Sequence, residues 1–146
     1  MHFYEFDVFT IKLKKPLVIH SRKAEEECLE ILEEELQFNQ IPVILHCFSG
    51  RKSLISKAAA LGFYFSIPPN ILRAGNFQTL VKKVDITQLL TETDAPWLSP
   101  FPEQKRNEPA LVLESIKKIA EIKSLPIAET AKIIWENYQG IMVERS

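Results

Sequence analysis

Three short apolar runs in this chain each end in a side chain that can hold a cation or carry a proton. Pro16-Leu17-Val18-Ile19 ends in His20, Pro42-Val43-Ile44-Leu45 ends in His46, and the run from Leu89 leads through Glu92 to Asp94. Short continuous apolar runs read as strands of a buried parallel sheet. In α/β folds the residues that do chemistry sit at the carboxyl ends of such strands. Two imidazoles and a carboxylate at three equivalent strand ends would converge on one point, which is how a divalent metal is held. An enzyme is therefore the leading reading.

Each residue also has a plainer reading. A histidine after four apolar residues is either buried and hydrogen-bonded or turned into a site. Its repetition at equivalent positions favours metal ligation by His20 and His46, with Asp94 as a third ligand or a general base. Glu92 lies two residues before Asp94, so both would point to one side of the strand. A supporting role suits Glu92, orienting a ligand or gripping an arginine. The alternative makes one of these acids a cap, or a partner of Arg22 or Arg106. The segment Lys105-Arg106-Asn107-Glu108-Pro109 opens a helix, whose free N–H groups suit an anion. Arg106 could hold a phosphate there, while Asn107 and Glu108 cap the helix and line the cleft; a solvated capping loop is the alternative. Trp97 would stack on a base or cover the rim.

The elements that must position these groups follow from the pattern. Strands are expected over 16–20, 42–48, 63–67 and 89–93. Between them fall helices from Ala24 to Leu36, with Ser21 as candidate cap, over 51–60 and over 76–83. Leu61-Gly62 closes the second helix, and Pro68-Pro69 stops the third strand. A proline-rich loop then leads to helices over 110–123 and 127–138, the last opening just after Pro126. Phe9 to Leu13 could be the last turns of a helix, and residues 1–15 are otherwise poorly defined. Strand alternating with helix means α/β architecture with parallel strands and right-handed crossovers.

Composition narrows the field. The 146 residues suit a single domain, and 46% apolar content can fill its core. A net charge of -1 gives no global field for nucleic acid, so such a substrate would have to be held locally. Cys28 and Cys47 form neither a disulfide framework nor a ligand pair, His2 lacks a His-x-His partner, and no segment reads as membrane-spanning. A cytoplasmic location is expected.

Five segments, taken in order, resemble the TatD family of metal-dependent deoxyribonucleases, within the amidohydrolase-like barrels. They are Pro16 to Ala24, His46-Cys47-Phe48-Ser49-Gly50, Leu61 to Ser66, Glu92-Thr93-Asp94-Ala95-Pro96-Trp97-Leu98, and Arg106-Asn107-Glu108-Pro109. The resemblance implies that His20 and His46 are ligands of one divalent ion (magnesium, manganese or zinc), with Asp94 as ligand or acid/base. Arg22, Arg106, Asn107 and Glu108 are the candidate substrate-binding residues. The reaction implied is metal-assisted hydrolysis of a DNA phosphodiester. The family's His-x-His strand and glutamate-bearing strand have no counterpart here, Glu5 and Asp7 being weak substitutes. The expected fold is thus the last four strands of a TIM-type barrel with C-terminal helices. Its open edges would be covered by a second copy or a separately encoded N-terminal half. The alternatives are a catalytically weak half-barrel serving as an assembly subunit, and hydrolysis of amide or ester bonds on the same fold.

Overall fold

Leu17 and Ile19 are buried whereas Val18 and His20, which alternate with them, are exposed, the pattern of a strand with one face covered. That strand opens a four-stranded sheet in a computed structural model, which describes residues 12–36 and 41–142. The sheet contains β1 (Leu17–His20), β2 (Val43–His46), β3 (Tyr64–Ile67) and β4 (Leu89–Thr91), side by side in chain order and all parallel. The helices α1 (Glu25–Glu35), α2 (Lys52–Ala60) and α3 (Gly75–Lys83) form the connections, and α4 (Val112–Lys123) and α5 (Ile127–Met142) complete the chain. Short 3-10 turns lie at Pro69–Leu72, Ile86–Gln88 and Pro109–Leu111.

One main core joins sheet and helices. Leu17, Ile19, Val43, Leu45, Phe65, Ile67 and Leu89 from the strands cluster with helix residues such as Leu29, Leu32, Ile55, Leu80, Val81 and Ile119. A second, smaller cluster contains Ile44, Leu90 and Ile141, with Tyr64 against it. Ile44 and Leu90 alternate with the core-facing residues of β2 and β4, so this cluster marks the other face of the sheet. That face is only partly covered, and Val18 there is 60% exposed.

The elements differ from the sequence expectation mainly at their ends. The second and fourth strands stop at His46 and Thr91, before residues 48 and 93. Cys47 (φ 46°) and Asp94 (φ 53°) adopt left-handed backbone just beyond them, a conformation that cannot continue a strand. Ser21 is not the cap of α1: Ala24 takes that position without a side-chain bond, and the Ser21 carbonyl accepts from its N–H at 2.8 Å. The last helix runs past residue 138 to Met142, its final turn held by Ile141 in the second cluster. Lys12 and Leu13 are helical as expected, while the rest of that helix, His2, Glu5 and Asp7 lie outside the described residues. Among the described residues no helix is long and apolar enough to cross a membrane.

The turn after β2 is fixed by Phe48, which folds back into the core edge-on to Phe65 at 5.7 Å between centroids. Gly50 makes room for that ring: a Cβ there would lie 2.7 Å from Phe48 Cε1 and Cζ. The ring is buried and cannot swing away. Gly50→Ala is therefore expected to lower unfolding free energy by about 1–2 kcal/mol, measured by urea denaturation with the slope unchanged.

Candidate functional site

Register brings the candidate groups together. His20 is the Cα partner of His46, and His46 of Ser66, so three adjacent strands present them in one row. The two imidazole rings lie 5.3 Å apart with a 36° tilt. Glu92 follows β4 directly and extends its ladder by one bond, N–H to the Ile67 carbonyl at 3.2 Å.

Glu92 is the hub of the site. Its Oε1 accepts from Ser66 Oγ at 2.6 Å and from the Cys47 N–H at 3.0 Å, and its Oε2 meets His46 Nδ1. On the other side of the same ring, Nε2 lies 3.6 Å from Asp94 Oδ1. A single imidazole thus stands between two carboxylates, each addressing a different nitrogen. Glu92 and Asp94 reach it from opposite sides, not through strand alternation as expected. The strand has already ended, and the left-handed turn at Asp94 aims its carboxylate.

The donor chemistry fits a divalent cation. Two ligands each about 2.1 Å from one ion stand about 3–3.5 Å apart, close to the Nε2–Oδ1 spacing. A proton on Nδ1, the nitrogen that faces Glu92, would leave His46 an Nε2 lone pair for such an ion. His46, Cys47 and Glu92 also offer donor atoms within 4.8 Å of one another. In that trio Glu92 already serves three donors, and without a cation burial, with Glu92 and Asp94 nearby, pushes the Cys47 thiol well above its ordinary pKa. Outside that trio, Asp94 Oδ1 lies 3.6 Å from His46 Nε2 and the His20 ring lies 5.3 Å from that of His46, so His20, His46 and Asp94 are neighbours without forming so tight a group.

The loop carrying Asp94 is built from hydrogen bonds. Trp97 N–H donates to the Asp94 carbonyl at 2.9 Å and closes the turn. Asn107, only 1% exposed, clamps it from below. Its Nδ2 donates to the Thr93 carbonyl at 2.6 Å, its N–H to the Pro96 carbonyl at 2.9 Å, and its Oδ1 accepts from Glu108 N–H at 2.9 Å. The sequence reading placed Asn107 on the cleft; the structure buries it as a clamp, because its amide is spent on backbone. Glu108 occupies the cap position without a capping side-chain bond and stays exposed. Arg22, Arg106 and Trp97 are exposed, Trp97 at 70%. Among the described residues neither arginine pairs with Glu92 or Asp94.

Ser66 escaped the sequence reading. Its signal was positional: it occupies the slot in the third strand that His20 and His46 occupy in the first two.

Residues 3–142 match the family described as TatD related DNase. The chain belongs to the TatD-related DNase family. Within it, the human protein named Deoxyribonuclease TATDN3 is 36% identical over 126 residues, covering 86% of this chain and 44% of that one. A Bacillus subtilis relative, named an uncharacterized metal-dependent hydrolase (YabD), is 37% identical over 125 residues, covering 84% and 49%. The fold is shared with a TatD family hydrolase from Entamoeba histolytica, with a TM-score of 0.80 at 20% identity over 96% of this chain and 55% of the other. This TatD-related chain spans about half the length of the relatives it matches.

Removing the clamp under the Asp94 loop leaves the Thr93 carbonyl and Glu108 N–H without partners. Asn107→Ala is expected to cost about 1–3 kcal/mol of stability and to speed amide hydrogen exchange at Glu108 and Trp97 while the β-strand amides keep their protection.

Proposed function

We propose that this chain contributes a metal-dependent hydrolytic site that cleaves phosphodiester bonds in DNA. The observation that carries the reading is His46, held between Glu92 and Asp94 with one nitrogen assigned to each. His20, His46 and Asp94 would hold the ion, and Glu92 would orient His46. A divalent ion bound there supplies Lewis-acid polarisation of a phosphoryl oxygen and makes water more acidic.

The protein groups divide the remaining work. Asp94, half-exposed and within reach of the imidazole, accepts a proton from attacking water. Arg106 and Arg22, with no carboxylate of the site to occupy them, hold substrate phosphates; Glu108 lies beside Arg106 on the same loop. The names of the relatives support DNA as the substrate class, and the small net charge requires that these local cations do the holding.

The four parallel strands in chain order correspond in this reading to half of a β/α barrel. The exposure of Val18 on the second face favours completion by another polypeptide surface, either a second copy or a chain carrying the other strands. In that assembly further ligands come from the added half. A cytoplasmic setting, where thiols stay reduced, suits the two cysteines.

The test is manganese- or magnesium-dependent cleavage of end-labelled single-stranded DNA, with light scattering for the mass of the active species. Chelation is expected to abolish cleavage, and His46→Ala to lower it by a factor on the order of 100 or more. Glu92→Gln, which keeps shape and loses charge, is expected to cost about 10–100-fold. Cleavage that persists through chelation or in His46→Ala would remove the proposal.

A further inference from the structure

We propose that Ser66 is a positioning residue, which through Glu92 selects the proton tautomer of His46. The inference rests on the reading of His46 as a metal ligand, but its central claim concerns only this chain's own atoms.

The hydrogen bonds carry the argument. A carboxylate has two oxygens, and in Glu92 they have separate duties. Oε1 receives the Ser66 hydroxyl at 2.6 Å and the Cys47 N–H at 3.0 Å, while Oε2 faces His46 Nδ1. Two donors converging on Oε1 fix the rotation of the carboxylate about its last bond, and that rotation aims Oε2 at the ring. A neutral imidazole carries one proton, and an acceptor at Nδ1 holds it there. The lone pair is then on Nε2, the atom that faces Asp94 Oδ1 at 3.6 Å.

Ser66 is suited to this by where it sits. It is 7% exposed, in register with His46 across β2 and β3, so strand pairing sets its distance from the ring. It brings a donor without a charge, and so it orients Glu92 without neutralising it. The Cys47 amide is backbone and stays in any variant. The hydroxyl is the part of this arrangement that the side chain at position 66 controls.

The decisive comparison is Ser66→Thr against Ser66→Val, two side chains of nearly equal shape that differ in the hydroxyl, with Ser66→Ala as the variant that adds no bulk. Histidine-selective nitrogen-15 labelling and long-range proton–nitrogen spectra of the metal-free 146-residue chain, with the ring neutral, report which nitrogen carries the proton. His46→Gln assigns the signals. Wild type and Ser66→Thr are expected to show His46 protonated at Nδ1, and Ser66→Val and Ser66→Ala a mixture of tautomers. In parallel, manganese affinity measured by titration calorimetry is expected to fall about 10-fold in Ser66→Val and to stay near wild type in Ser66→Thr. Identical tautomer signatures in Thr and Val variants would overturn the proposal, as would protonation at Nε2 in wild type; should Val disturb β3, the Ala variant decides. Because the spectra need no metal, they judge Ser66 even where manganese does not bind wild type, a result that would instead overturn the metal-site reading.

Discussion

The parallel register of β1, β2 and β3 is the constraint on which the rest depends. One face of this sheet is committed to a core with the helices, so the alternate side chains must all emerge on the other. Pairing His20 with His46 and His46 with Ser66 then leaves no freedom in how the three line up. A slip of one residue in β2 would exchange Leu45 for His46 in the core and bury an imidazole among apolar side chains. The same apolar burial that holds the sheet together therefore also holds the polar row in order.

Beyond the strand ends, hydrogen bonding takes over from packing. Glu92 gathers a hydroxyl from β3 and an imidazole and a backbone amide from the end of β2. Asn107 does the equivalent for the loop that carries Asp94, spending its whole amide on main chain. These two hubs differ in consequence. Glu92 sets the state of a side chain, whereas Asn107 sets the path of a backbone. Phe48 works from the opposite direction, pulling the segment after His46 back into the core and so limiting how far Cys47 can move.

The strands and the helices between them could be read from apolar runs, prolines and helical periodicity because those signals are local. His20 and His46 stood out for the same reason, each closing such a run. Glu92 and Asp94 were found together, but for a reason the structure does not support: alternation was invoked where the strand had already ended. Turns with positive φ at non-glycine residues leave little trace in sequence, so the aim of Asp94 was not legible. Neither was the burial of Asn107, which depends on carbonyls at Thr93 and Pro96, more than ten residues away. Ser66 was hidden by its ordinariness, one small polar residue among aromatics, and only its register with the histidines distinguishes it.

The left-handed backbone at Asp94 also governs how substitutions there can be interpreted. Asp and Asn visit that region far more readily than other residues with a Cβ, whereas most side chains incur roughly 1–2 kcal/mol in it. Alanine at position 94 would therefore change two things at once, the carboxylate and the shape of the loop beneath it. Asparagine keeps the turn and changes only the charge. An alanine scan read without that distinction would overstate the chemical importance of the carboxylate, and the same confusion attends Cys47, whose backbone is bent the same way.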